Sequence, residues 1–503
     1  GFLLRPAFGL QGGILLVASI YVVLGLLLMI VHARERRTRS TRTAIAGALG
    51  LVLVAGNILF EGKPVILGSH WFKQEPGRYR LVFNHEGSSS SISVIEKPNG
   101  VRELNLNGFS TAADNYMDMQ VHRMLSHLPI LLHPKPEKLL VVGFGMGSTV
   151  WGCCQHGAKR VDVVELLEAE KRTAPFFENI NHGVLGDPRL GFIVGDGRNY
   201  LLATREKYDV ISFNAIHPRY SANLYTVGFY RMCRERMTED GVICAWMTQN
   251  SMTDGEWRML CRSFVEVFEE SSIWFCNPQH FCLIGSIQPQ KISFEDWRRR
   301  VSKPEVKRDL MDSNLDDPHA LLSRYMFGGK RLADYVAGAG INTDDRPRIE
   351  FARETRREEG AVVRRMLELV EPDRLELCRL DEPGLPVDTI LAHRRAALWL
   401  MKGETEDWYP IDRHRYRAEI HFRRGLLLTP ENQDLRRQLD FSDDIARMVE
   451  GVMKEDAGHA WAFEELGRIR LEQGRFEEAE SLLLGSFRRN GSRPVALFNY
   501  ALL

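Results

Sequence analysis

A glycine-rich turn between two apolar runs constrains the fold of this chain more than any other feature. The first run, Lys138-Leu-Leu-Val-Val, leads into Gly143-Phe-Gly-Met-Gly, and the second run is Arg160-Val-Asp-Val-Val-Glu. Residues from Ser148 onward can begin a helix between them. Strand, turn, helix and strand in this order form the unit of an open parallel sheet, so the sequence predicts a doubly wound α/β fold of the Rossmann type. Further strands are expected at 190–194, 208–213, 241–246 and 280–287.

Polar residues follow the predicted strands where ligands bind in such folds. The turn leaves backbone room for a ligand and exposes amide N–H groups at a helix start. Glu165 ends the second strand, where a carboxylate can accept hydrogen bonds from both hydroxyls of a ribose, and Asp196 follows the third, where it can accept from an adenine amine. An adenosine-containing ligand is therefore expected. Its candidate contacts are Gly143, Gly145, Gly147, Glu165, Asp196 and Gly197.

A purely structural role stays open for each of these residues. The glycines can make a tight turn without a ligand, and Glu165 can be a solvated strand end. Asp196 can cap a helix.

The first sixty residues differ in composition from the rest of the chain. Residues 12–32 are apolar, without acid, Lys or Arg, and are long enough to cross a hydrocarbon core of about 30 Å. An arginine-rich stretch, 33–43, separates them from a second apolar run at 44–60. The pattern predicts a transmembrane hairpin over 1–62, with a buried soluble helix as the alternative for either run. Because the chain starts at Gly1 rather than Met, we expect this hairpin to end a larger membrane region.

The arginine-rich stretch also indicates sidedness. Such short loops stay in the cytoplasm, so the sequence predicts an integral membrane protein whose soluble part is extracytoplasmic or periplasmic.

Three regions follow the apolar segments. Short alternating runs broken by Gly, Pro and Asn predict a small β domain at 63–115, and the Rossmann-type domain is expected at 116–355. Residues 356–503 have helical periodicity, and 461–494 has the spacing of a 34-residue tetratricopeptide repeat. We therefore expect helical repeats that bind a protein partner, with a plain helical bundle as the alternative.

Charge and cysteine usage limit the other partners and cofactors. Lys plus Arg and Asp plus Glu both number 66, so no basic excess indicates a nucleic-acid partner. The eight cysteines include no Cys-x-x-Cys pair, and no metal site is expected.

Several longer segments resemble the spermidine synthases, a family of polyamine aminopropyltransferases. They are HPKPEKLLVVGFGMGSTV, VDVVELLEAE, GDGRNYLL, YDVISFNAIHP and NLYTVGFYRMCRERMTEDGVICAW, and NTDDRPRIEF is similar to the closing segment of the membrane-fused branch of that family. The resemblance implies a methyltransferase-like Rossmann fold that binds decarboxylated S-adenosylmethionine and transfers its aminopropyl group to putrescine. S-adenosylmethionine itself is the alternative ligand. By motif position, Glu165 resembles the ribose ligand, and Asp196 with Gly197 resembles the adenine ligand.

The acceptor half of the site departs from the family pattern. Met146 stands where the family has an aspartate, Asn214-Ala-Ile-His217 stands where it has Asp-x-x-Asp, and His122-Arg123 replaces a pair that carries a carboxylate. A diamine needs carboxylates to replace its hydration, and an asparagine cannot serve as general base. The catalytic candidates are therefore Asn214, His217 and His122.

Two functional expectations follow from this departure. The first is a spermidine synthase-like protein with weak or lost aminopropyl transfer that acts as a structural or interaction subunit. The alternative is an active aminopropyl- or methyltransferase with an altered acceptor.

Overall fold

The computed structural model describes most of the chain after residue 78. Described are residues 12–13, 16–25, 28, 79–87, 90–214, 216–290, 292–352, 359–375, 377, 385–408, 415–455, 460–473 and 475–489. The chain divides into two compact units. One is Gly1–Asn115 with Leu167–Leu185, and the other is Tyr116–Leu166 with Gly186–Leu503.

The strands and helices are numbered in chain order. The strands are β1 Arg80–Glu86, β2 Ser91–Glu96, β3 Arg102–Leu106, β4 Phe109–Ala113, β5 Lys138–Val142, β6 Arg160–Glu165, β7 Leu190–Val194, β8 Tyr208–Phe213, β9 Met237–Thr248, β10 Glu270–Asn277, β11 His280–Ser286 and β12 Tyr325–Gly328. The helices up to the sheet's last strand are α1 Tyr116–Leu132, α2 Ser148–Cys154, α3 Glu170–Thr173, α4 Glu178–Asn181, α5 Gly197–Ala203, α6 Val227–Glu235, α7 Asp254–Val265, α8 Phe294–Val301, α9 Pro304–Leu310 and α10 Pro318–Leu322. The later helices are α11 Gly329–Val336, α12 Glu359–Glu368, α13 Val387–Trp408, α14 Arg415–Leu428, α15 Gln433–Glu455, α16 Ala460–Glu472 and α17 Phe476–Arg489.

The smaller unit contains a four-stranded antiparallel sheet in the order β1-β2-β3-β4. Alternating apolar residues such as Val94 and Leu104 are buried on it. The segment with α3 and α4 belongs to this unit although it follows β6 in the chain. Arg102 Nη1 donates to the Phe176 carbonyl at 2.6 Å, which ties that segment to β3.

The larger unit is built on an eight-stranded sheet in the order β12-β10-β11-β9-β8-β5-β6-β7. The pairings from β7 to β9 are parallel, and those among β9, β11, β10 and β12 are antiparallel. The strand order reverses beside β5, since β6 and β7 lie on one side and β8 and β9 on the other. This arrangement confirms the Rossmann-type α/β fold, in which ligands bind at such a reversal.

Apolar side chains cover both faces of the larger sheet. One core contains Phe213 and Trp257, and the other contains Trp274 and Trp297. All four side chains are at most 1% exposed. Burial of this size fixes the sheet as a rigid support for the loops at its carboxyl edge.

The region after residue 359 is helical in its described part, as its periodicity predicts. A Cβ on Gly467 of α16 would lie 2.8 Å from Leu483 Cγ of α17, so these two helices approach closely. Arg394 of α13 donates to the carbonyls of Ser323 at 3.2 Å and Met326 at 2.9 Å, which anchors the first long helix beside β12. The assignment to tetratricopeptide repeats stays a prediction.

The prediction of an integral membrane protein is wrong. Within the described residues, every helix is too short or too polar to span a bilayer. The second apolar run, 44–60, lies outside the described residues, and nothing therefore supports an extracytoplasmic position for the rest of the chain.

Candidate functional site

The glycine-rich turn joins β5 to α2 beside the reversal in strand order. Gly143 has a φ of 93°, and a Cβ there would lie 2.6 Å from the Asn214 carbonyl oxygen, so glycine is required. The Gly143 N–H donates to the Val164 carbonyl at 2.9 Å. Gly147, with a φ of 83°, precedes the first residue of α2. The turn therefore lies against the carboxyl ends of both neighbouring strands.

The two larger side chains of the turn are buried. Phe144 is 1% exposed, and its ring meets the Phe192 ring edge-on with centroids 5.3 Å apart. Met146 is fully buried. The position at which the related pattern has an acid is thus a buried methionine in this chain.

Glu165 lies at the end of β6, with its carboxylate at the glycine-rich turn. Its Oε2 accepts a hydrogen bond from the Phe144 N–H at 2.8 Å, and its carbonyl accepts one from the Gly195 N–H at 2.8 Å. The residue is 6% exposed, so it is not a solvated strand end. The structure therefore brings Glu165 together with Gly143, Gly145 and Gly147 at one edge of the sheet.

Asp196 and Gly197 begin α5 immediately after β7. Asp196 Oδ1 accepts a hydrogen bond from the Asn199 N–H at 2.8 Å, so this residue does cap a helix. A Cβ on Gly197 would lie 2.5 Å from Val142 Cγ1, which means that α5 packs directly on the end of β5. The contact of Asp196 with an adenine stays a prediction.

Arg198 connects this motif to the closing segment. Its Nη1 lies 3.0 Å from Asp344 Oδ1 and donates to the Asn223 carbonyl at 2.9 Å. The Thr226 hydroxyl donates to the same Asp344 oxygen at 2.5 Å. Burial tends to raise the pKa of Asp344, but the hydrogen bonds from Arg198 and Thr226 outweigh it and lower that pKa. The segment 342–351 is thus bonded, through Asp344, to Arg198 at the start of α5.

Two of the three catalytic candidates, Asn214 and His122, are in contact. Asn214 Nδ2 lies 3.3 Å from His122 Nδ1, and Thr149 Oγ1 lies 3.0 Å from the same nitrogen. Burial, aided by the charge of Arg123 and by His280, lowers the pKa of His122 to about 3. His122 is therefore neutral at physiological pH and a weak proton acceptor.

His217, the third candidate, is bonded elsewhere. Its Nε2 lies 2.8 Å from the Asn250 carbonyl oxygen, and its Nδ1 accepts from the Arg219 N–H at 3.2 Å. These two contacts assign the neutral tautomer with the hydrogen on Nε2. The imidazole holds the loop after β8 against residue 250 and does not join the pair of Asn214 and His122.

Arg123 is buried and pairs with two aspartates that the sequence did not single out, the buried Asp309 and the exposed Asp312. Its Nη2 lies 3.1 Å from Asp309 Oδ1 and 2.8 Å from Asp312 Oδ2. His127 Nε2 contacts the other oxygen of Asp309 at 2.8 Å. Burial tends to raise the pKa of Asp309, but the hydrogen bond from His127 and the charges of His127 and Arg123 lower it.

These aspartates have no local signature that could have identified them. Both stand near α9 in Pro304-Glu-Val-Lys-Arg-Asp-Leu-Met-Asp, which reads as an ordinary charged helix. Their pairing with Arg123 depends on a contact across more than 180 positions of the chain.

Comparison with known proteins agrees with this geometry. A sequence profile described as the spermine/spermidine synthase domain matches residues 118–282. The polyamine aminopropyltransferase of Bacillus subtilis is 30% identical over 194 residues, which cover 35% of this chain and 67% of that protein. The polyamine aminopropyltransferase of Thermotoga petrophila is 26% identical over 204 residues, covering 39% of this chain and 67% of that protein. The polyamine aminopropyltransferase of Erwinia tasmaniensis is 26% identical over 173 residues, which cover 33% of this chain and 59% of that protein.

Two solved structures were also matched. A spermidine synthase in complex with the transition-state analogue AdoDATO has 19% identity and a TM-score of 0.39, covering 58% of this chain and 88% of that chain. The spermidine synthase from Thermotoga maritima has 20% identity and a TM-score of 0.39, with the same coverage.

The matched part of the chain spans 59–67% of the length of these curated relatives. It contains the strand reversal, the glycine-rich turn and the loops after β6, β7 and β8. By this sequence identity over the site-bearing part of the sheet, the chain belongs to the spermine/spermidine synthase family.

Proposed function

We propose that the carboxyl ends of β5, β6 and β7 bind an adenosine-containing donor, decarboxylated S-adenosylmethionine or S-adenosylmethionine. The hydrogen bond of 2.8 Å from the Phe144 N–H to Glu165 Oε2 carries this proposal, because it holds a carboxylate against the glycine-rich turn. A carboxylate in this position can accept from ribose hydroxyls, and the turn and the start of α2 offer N–H donors. Asp196, at the start of α5, supplies the polar group for the base.

Aminopropyl transfer itself is proposed to be weak or lost. The reaction forms a bond from an acceptor nitrogen to the aminopropyl carbon, breaks the carbon–sulfur bond and releases 5′-methylthioadenosine and a proton. The Asn214 amide cannot take that proton, and His122, with a pKa of about 3, accepts it poorly. General-base catalysis is typically worth about 10²- to 10⁴-fold in rate, so its loss alone makes turnover slow.

The charges beside this pair also disfavour a diamine. Asp309 and Asp312 are the acids closest to Arg123, and both are bonded to its guanidinium. Their charge is therefore already matched by Arg123, and a diamine would have to displace this guanidinium to use it.

A structural or interaction role is proposed for the helical region. Leu427 and Phe476 are 83% and 55% exposed, and apolar groups on such helices offer contact surface to a protein partner. A deletion of residues 456–503 removes α16 and α17 but keeps α13, whose Arg394 anchors it beside β12. We expect the tagged full chain to co-purify a partner and the tagged deletion variant to lose it, and unchanged co-purification by the variant would argue against the role.

The catalytic part is tested by restoring the missing carboxylate. Release of 5′-methylthioadenosine from decarboxylated S-adenosylmethionine and putrescine is measured for the wild type, Asn214→Asp and Asn214→Leu. We expect the wild type and Asn214→Leu to be equally slow, because neither has a base, and Asn214→Asp to be faster by about 10²-fold. A wild type that already turns over rapidly, and slows in Asn214→Leu, would overturn the proposal.

A further inference from the structure

A cluster of three potential metal ligands lies outside the site described above. Asp317 precedes α10, His319 is in α10 and His393 is in α13. One ligand atom from each of them lies within 4.8 Å of the other two. The cluster thus joins the segment before β12 to the first long helix of the helical region.

His393 is a buried residue with a ring nitrogen that is unpaired in the described part of the chain. It is 7% exposed, and its Nδ1 has no hydrogen-bond partner among the described residues. Its Nε2 lies 3.4 Å from Glu431 Oε1, a longer separation than a good hydrogen bond. A buried ring nitrogen without a partner is destabilising, and an ion bound beside it would remove that penalty.

The other two residues are arranged to contribute. Asp317 accepts hydrogen bonds from the N–H groups of His319 at 2.7 Å and Ala320 at 3.2 Å, both through Oδ1. Its Oδ1 also lies 3.2 Å from His319 Nδ1, whereas its Oδ2 takes part in none of these contacts. The Asp317 side chain is 45% exposed, which gives an ion a route to the cluster. The His319 ring stacks on the His393 ring with centroids 4.6 Å apart.

We propose that Asp317, His319 and His393 form a binding site for a divalent transition-metal ion of the zinc class. Two imidazoles and a carboxylate are typical zinc ligands, whereas calcium and magnesium prefer oxygen alone. Tetrahedral zinc places its ligand atoms roughly 3.4 Å apart. The two stacked rings therefore turn toward the ion on binding, while Glu431, 3.4 Å from Nε2 on the other side of the His393 ring, orients that imidazole.

The ion ties α10 to α13. A structural site of this kind contributes directly to stability, because the unfolded chain does not preform the ligands. This role is independent of the donor site, since none of its ligands is among the residues of the glycine-rich turn or the strand ends.

The test uses the full chain freed of metal by dialysis against a chelator. Zinc binding is measured by calorimetry, Co²⁺ binding by its visible absorption, and thermal stability with and without zinc. His319→Ala is the main variant because its side chain is 20% exposed, and Asp317→Asn is the second. His182→Asn is the matched control, since it removes an exposed imidazole at a left-handed position that asparagine also tolerates.

We expect one zinc ion per wild-type chain, a higher melting temperature with zinc, and an absorption spectrum typical of tetrahedral Co²⁺. His319→Ala and Asp317→Asn should each weaken binding by at least tenfold and lose the thermal shift, while His182→Asn keeps both. Equal zinc binding by His319→Ala and the wild type would overturn the site, as would a wild type that binds no zinc.

Discussion

Glu404 of α13 gives a pH dependence that can be worked out from its surroundings. Its carboxyl is 4% exposed, and its Oε2 accepts no hydrogen bond from any described residue. Arg324 Nη1 lies 3.8 Å from that oxygen, but Arg324 is bonded to Asp434 at 2.8 Å. Burial raises the pKa of Glu404 to about 7, against a partial lowering by the charge of Arg324 and a further rise from Asp434.

The free-energy cost follows from the pKa difference. The folded pKa of about 7 lies above the ordinary value of 4.5. At about 1.4 kcal/mol per pH unit, ionising Glu404 in the folded protein costs about 3 kcal/mol of stability. Because the folded pKa is raised, the stability that the protonated Glu404 gives the folded state is fully present below pH 4.5. It is lost as the pH rises through about 7.

Glu404→Gln removes this titration while keeping the shape of the protonated side chain. We expect the variant to gain stability over the wild type as the pH rises from 4.5 to 8, by about 3 kcal/mol at the upper end. Denaturant unfolding followed by the fluorescence of the buried tryptophans at each pH gives the difference. Buried histidines such as His122 also titrate below pH 6.5, and they cancel in that difference because both proteins contain them.

Glu477→Gln, an exposed glutamate on α17, is the matched control and should show no such trend. A difference between Glu404→Gln and the wild type that is flat from pH 4.5 to 8 would refute the reasoning. It would mean that Glu404 is ionised in the folded protein throughout this range.

Two further substitutions test the packing of the site. Gly197→Ala should destabilise the fold by about 1–3 kcal/mol in denaturant unfolding, because its Cβ would overlap β5, whereas Gly195→Ala, with open space around its Cβ, should not. Arg123→Met should cost about 3–5 kcal/mol, since it removes the guanidinium that pairs with the buried carboxylate of Asp309. Arg80→Met, at a surface ion pair, should cost under about 1 kcal/mol, and equal costs for the two arginines would contradict the buried network.

The parts of the fold that local patterns encode could be predicted from the sequence. The glycine-rich turn and the strands at Leu190–Val194 and Tyr208–Phe213 coincide with the structure, because a buried parallel strand reads as a short apolar run. Tyr325–Gly328 was not predicted as a strand. It has only four residues, and its strand character comes from pairing with β10.

The chemistry of the site was less accessible to sequence reasoning. The position of Glu165 at the turn follows from the motif, but the partners of Arg123 and the neutral state of His122 depend on long-range packing. The role of Asp196 as a helix cap was one of two readings that a single sequence cannot separate. Sequence reasoning also could not place Leu167–Leu185. This segment belongs to the compact unit of the four-stranded sheet, although β6 and β7, which flank it in the chain, belong to the other unit.

The central claim is that Glu165 and the glycine-rich turn form a nucleoside site. Isothermal calorimetry of the full chain with decarboxylated S-adenosylmethionine, and separately with 5′-methylthioadenosine, tests it most directly. We expect one site per chain in the wild type, binding weaker by at least about tenfold in Glu165→Gln, and no change in Glu168→Gln, an exposed neighbour. Absence of binding at millimolar ligand, or equal binding by the wild type and Glu165→Gln, would contradict the account.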